Sequence, residues 1–125
     1  MRGIVNHPAT ITDVMRADGL VETGLLSQRL RVTKTELAFA AGLSRDAVSK
    51  SARIASPSTQ ARLRDMVEIV NRVMPWAGSL PQAFAWYRAQ PLPGFGDRTA
   101  EDLVKEGRAE AVKAHLSRIA IGGHA

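Results

Sequence analysis

Apolar residues recur along this chain at helical spacing, interrupted by glycines, prolines and capping residues. The clearest stripe is Leu63, Met66, Val67, Val70, Val73 and Met74, at offsets of three, four, seven, ten and eleven on one helix face. Ser56 and Pro57 supply its N-cap and first turn, and Pro75 with Gly78 predict its end. A second stripe, Ala109, Val112, Leu116, Ile119 and Ala120, predicts a helix over "RAEAVKAHLSRIA", with "GGHA" as a short flexible tail. Between them, "LPQAFAWYRAQ" reads as a helix begun by Ser79 and Pro81, and "PLPGFGD" as a turn segment. Thr99 and Asp102 form a capping pair for "AEDLVKE", which Gly107 closes.

The first half is patterned differently. Residues 1–9 read as a loose arm, and "TITDVMRADG" predicts a short helix ending at Gly19. "VETGLLSQRLR" places Val21, Leu25, Leu26 and Leu30 at helical spacing. Thr33 and Glu36 make a capping box, so a helix runs from Lys34 to Ala41 and stops at Gly42, which tolerates the left-handed conformation. Ser44 caps the next helix, from Arg45 to Arg53, with Asp46 near its positive end. No stretch alternates as a strand would. The pattern predicts an all-α protein of about seven or eight short helices. It divides into an N-terminal lobe over residues 1–56 and a helical lobe over 57–125, with Pro57 as the hinge.

"ELAFAAGLSRDAVSK" meets the steric demands of a helix-turn-helix. Ala38 is small where the second helix crosses the first, and Gly42 takes the turn. Leu37, Ala41, Leu43 and Val48 face the shared core. Ser44, Arg45, Asp46, Ser49 and Lys50 then face outward, which presents the second helix to a major groove. Two packed core helices joined by a glycine would share much of this pattern. Charge favours the DNA reading. The 125-residue chain carries a formal charge of +5 and a pI of about 10.4. Residues 29–53 hold six basic residues (Arg29, Arg31, Lys34, Arg45, Lys50, Arg53) against Glu36 and Asp46, or +4 of that +5. Arg45 and Lys50 suit base edges or phosphates and Lys34 the backbone, with Arg53 a further DNA-binding candidate.

Catalytic chemistry finds no support in the residue types. There are no cysteines, which removes disulfides, thiolate metal sites and thiol nucleophiles and fits a reducing cytoplasm. His7, His115 and His124 are not spaced with each other or with carboxylates as metal ligands, and His115 reads as a half-buried helix histidine. "GFGDRT" lacks the third glycine and the preceding strand of a nucleotide-binding loop, and no serine sits in a GxSxG setting. The expectation is a protein that is not an enzyme, with no cofactor and no metal. No apolar run approaches the roughly 20 residues of a membrane span, and "MRGIVNHPAT" has no signal-peptide core, so a cytoplasmic protein without membrane contact is expected.

The second half holds Trp76, Trp86 and Tyr87, half of the six aromatic residues, which suit either a small core or an interface. From about residue 25 to 123 the chain resembles the MbcA/ParS/Xre antitoxin family. The matching run is Trp86, Pro91, Gly94, Gly96, Thr99, Leu103, Gly107, Val112, Leu116, Arg118, Ile119 and Gly122. It departs in two places: Ala100 stands where the family often has proline, and "PGFGD" replaces the usual glycine turn.

The resemblance implies a type II toxin–antitoxin system. The C-terminal lobe would bind a RES-fold toxin that degrades NAD or transfers ADP-ribose from it. Trp86, Arg118, Ile121, Gly122, Gly123, His124 and Ala125 would contact the toxin, the last helix and tail covering its active-site cleft. Apart from the resemblance, carboxylate chemistry suggests that the end of the tail would suit an arginine-lined anion site. The resemblance also implies a homodimer that represses its own operon by binding a palindromic operator. Two other readings stay open: a stand-alone regulator whose C-terminal lobe only dimerises, and a helical adaptor that has lost DNA binding.

Overall fold

The computed structural model describes residues 12–122. Eight α-helices carry the fold, and no strand forms among the described residues. The protein is all-α, as its pattern predicts.

The first described segment departs from expectation. In place of a helix over "TITDVMRADG" there is a single 3-10 turn, Thr12–Val14, followed by an antiparallel bridge between Met15 and Val21. Residues 10 and 11 of the expected helix lie outside the described residues. Two local preferences favour the reversal. The Asp18 carboxylate accepts from the Leu20 N–H at 3.1 Å, and Gly19 sits at φ +86°. The reversal buries Val14 and Val21 together.

Helix α1 (Thr23–Leu30) is capped by the Glu22 side chain and ends on Arg31, a non-glycine residue at φ +61°. Helix α2 (Lys34–Ala40) starts in the expected capping box, with Thr33 and Glu36 exchanging bonds of 3.0 Å. Gly42 turns the chain at φ +74°, and Ser44 caps α3 (Arg45–Ser49). The expected helix from Arg45 to Arg53 is broken. Lys50 adopts an extended conformation, and a separate turn, α4 (Ser51–Ile54), follows. Serines flank the break on both sides, and serine favours caps over helix interiors.

Helix α5 (Pro57–Ala77) is the long axis of the fold. It passes through Pro75, where the sequence predicts an end, and stops on Gly78 at φ +94°. Pro75 still removes an i→i−4 donor, but only Trp76 and Ala77 of the helix follow it. Helix α6 (Leu80–Ala89) leads into a loop closed by a bridge between Pro91 and Thr99. Helix α7 (Ala100–Lys105) starts in the predicted Thr99–Asp102 capping box. Helix α8 (Ala109–Gly122) extends past the predicted "RAEAVKAHLSRIA" to take in Ile121 and also Gly122, which the sequence assigns to the tail.

One continuous core joins these helices, from Val14 and Leu26 through Leu37, Val48 and Met66 to Tyr87, Leu103 and Leu116. Ser56 and Pro57 cap and open α5. Gln60, one turn into that helix, is 1% exposed and braces the first half. Its Oε1 accepts from the Val21 N–H at 2.7 Å, and its Nε2 donates to the Ile54 carbonyl at 2.8 Å.

Candidate nucleic-acid interface and a groove beside the last helix

The α2–turn–α3 unit has the packing that its sequence demands. Leu37, Ala38, Ala41 and Val48 are buried, and Leu43 is partly buried against them. The Leu43 N–H bonds the Ala38 carbonyl at 2.8 Å, which closes the C-terminal end of α2 at the turn.

With this face inward, the polar residues of α3 turn out. Arg45 and Lys50 are exposed and make no ion pair among the described residues. Their charge is therefore available to an anion. Ser44 is committed to capping: its Oγ accepts from the Ala47 N–H at 3.3 Å. Asp46 stands 3.8 Å from Arg53 in an exposed pair. The Ser49 side chain lies outside the described residues. Lys34 is exposed at the start of α2 and also makes no ion pair among the described residues. Lys34, Arg45, Lys50 and Arg53 thus remain exposed, and Asp46 alone offsets a cation among them.

Sequence reasoning missed how firmly α2 is held by the second half. The Tyr87 hydroxyl donates to the Ala40 carbonyl at 2.7 Å. Arg62 donates to the Val104 carbonyl beside Gly42. Phe39, 58% exposed, lies under the Lys105 ammonium, 3.2 Å from its ring centroid. Glu101, 7% exposed, draws Lys105 and Arg88 together at 3.6 and 3.4 Å, and Arg88 reaches Glu36 of α2 at 3.9 Å. Phe39 was legible as an aromatic residue off the apolar stripe of α2. Glu101 gave no such signal.

The C-terminal residues of interest converge elsewhere. Trp86, Gln90, Pro91, Leu92, Pro93, His115 and Ile119 line an open, largely apolar groove of about 380 Å³ between α6, its following loop and α8. His115 packs edge-on against Phe95, with centroids 6.1 Å apart. Burial, and then the Arg118 charge one turn on, lower its pKa from the ordinary 6.5. Arg118 is exposed and makes no ion pair among the described residues. Ile121 and Gly122 belong to α8, with the Ile121 side chain outside the described residues. Gly123, His124 and Ala125 also lie outside them.

Among the described residues no cluster of histidine and carboxylate side chains could hold a metal ion, and no helix is long and apolar enough to cross a membrane. No protein-family model matches the chain, and neither does a curated protein or a solved structure.

Proposed function

We propose that the chain is the antitoxin of a type II toxin–antitoxin pair. In this reading it binds and neutralises a RES-fold toxin that consumes NAD or transfers ADP-ribose from it. It also represses its own operon as a homodimer, through α2 and α3. It acts in the cytoplasm as a binding protein, with no catalytic step and no cofactor of its own.

The observation that carries the reading is the convergence of the C-terminal run. Trp86, Pro91 and Ile119 meet in one groove, with Arg118 on the adjacent helix face. Other members of the run serve the scaffold: Leu103, Val112 and Leu116 are buried, and Thr99 caps α7. An aromatic anchor in an apolar groove, next to a cation that makes no ion pair among the described residues, suits a protein partner that brings an apolar side chain and a carboxylate. The exposed cations of α2 and α3 support the DNA half of the reading.

The test uses the product of the neighbouring gene, purified with and without this chain. NAD loss that stops when the chain is added supports the antitoxin reading. No complex and no effect on NAD would overturn it in favour of a stand-alone regulator.

A further inference from the structure

The turn before α1 is the part of the molecule that a helix-turn-helix leaves unused. It is short and tightly held. The Arg16 N–H donates to the Leu20 carbonyl at 2.7 Å inside the Met15–Val21 bridge. Gln60 then ties the end of this turn to the end of α4, through Val21 on one side and Ile54 on the other. The turn therefore stands at a fixed place beside the segment that carries Lys50 and Arg53.

Arg16 from the turn and Lys34 from α2 line one groove of about 260 Å³, together with Val21, Glu22, Thr23, Ile54 and Ala55. Glu22 is the carboxylate on this wall, and its Oε1 is engaged by the Gly24 N–H at 2.9 Å. Arg16 pairs with Asp18 at 2.9 Å, with both side chains about half exposed. Such exposed pairs contribute little, so the guanidinium can exchange this partner for a stronger one.

We propose that Arg16, with Lys34 beside it, grips a DNA backbone phosphate and extends the nucleic-acid interface beyond the helix-turn-helix. This rests on the DNA-binding reading of α2 and α3. A phosphate accepts charge-assisted bonds from guanidinium and ammonium groups, and it repeats along the strand wherever a major-groove helix is docked. A contact of this kind positions the protein and carries no base preference. The groove is also lined by Ile54 and Ala55, which directly follow the exposed Arg53 in the chain.

The experiment measures binding of a fluorescent duplex taken from upstream of the chain's own coding sequence, across a series of salt concentrations. A scrambled duplex is the control. R16A is expected to weaken binding several-fold and reduce the salt slope by about 1, leaving the preference over the scrambled duplex unchanged. D18N, which frees Arg16 and removes a negative charge, is expected to tighten binding to both duplexes. An R16A protein with the wild-type slope overturns the phosphate contact, even where R45A abolishes binding. So does an R16A protein that loses preference for the upstream duplex. Wild-type protein that binds neither duplex overturns the DNA reading and this contact with it.

Discussion

The Tyr87 hydroxyl reaches the Ala40 main-chain carbonyl across 47 residues of sequence, at 2.7 Å and in a fully buried setting. It gives the C-terminal end of α2 the donor that a helix end lacks. Burial raises the phenol pKa far above its ordinary value, so the group stays a donor at any physiological pH. Tyr87→Phe keeps the ring, which stacks on Phe84, and orphans the carbonyl. It is expected to lower stability by about 1–3 kcal/mol in urea denaturation. Unchanged stability would mean that the carbonyl finds another donor.

Gly42 resists substitution for two reasons at once. Its φ of +74° disfavours any side chain, and a Cβ there would lie 2.9 Å from the Arg62 guanidinium and 3.2 Å from the Lys105 main chain. Gly42→Ala is expected to cost about 2–4 kcal/mol. Gly107 has φ +80° but faces open space, so Gly107→Ala carries only the conformational part. Equal losses in the two variants, read from their denaturation midpoints, would show that the Lys105 contact contributes nothing.

Lys113 joins α8 to α5 by gathering three carboxylates: Asp65 at 2.8 Å, and Glu68 and Glu110 at 3.2 Å each. Burial works against its charge, but the bonds to Asp65, Glu68 and Glu110 outweigh it, and its pKa is raised. A lysine with a raised folded pKa contributes fully below its ordinary 10.5, so the whole contribution is present at pH 7. Lys113→Met is expected to lose about 2 kcal/mol there. Below the carboxylate range the gap to wild type should close, because the three acids no longer repel. A gap that persists in acid would point to packing instead.

His115 makes the groove sensitive to acid. Its folded pKa lies below the ordinary 6.5, so the unfolded chain binds the proton first. Its contribution is fully present above pH 6.5 and is lost as pH falls through that value toward the folded pKa. The stability curve of His115→Gln should therefore be flatter than wild type as pH falls below 6.5. Parallel curves would remove the histidine from the account.

Arg45 and Lys50 are exposed and make no ion pairs among the described residues, so removing them should leave the fold alone. The double variant R45A/K50A is expected to unfold within about 0.5 kcal/mol of wild type. It should nonetheless lose most affinity for upstream DNA, with a salt slope smaller by up to about 2. Retained affinity, measured by anisotropy, would move the interface off α3.

Where the chain carries its own punctuation, the fold is legible. Thr33 with Glu36, Ser56 with Pro57, and Thr99 with Asp102 each mark a helix start that the structure keeps, because capping is settled within one turn. Elsewhere the chain departs from its pattern. The reversal at Met15–Val21 has local support in Asp18 and Gly19 and is also held by Gln60, a polar residue on the apolar stripe of α5 whose burial is visible only in three dimensions. Lys50 breaks a run that propensity leaves undecided, and α8 runs to Gly122, two residues past the Ala120 that ends its apolar stripe. Arg45 and Lys50 were readable as outward-facing because Val48 must face in. The groove was not, since Trp86, Pro91 and Ile119 come from three separate segments.

The seam between α2 and the second half bears on how such proteins can diversify. Tyr87, Lys105 and Gln60 each reserve a main-chain group or a ring of the first half as their partner. A chimera that grafts residues 57–125 onto another sequence's first half would inherit these side chains without their counterparts. Substitutions on the outer surface of α3 leave these contacts in place, whereas recombining the halves removes them.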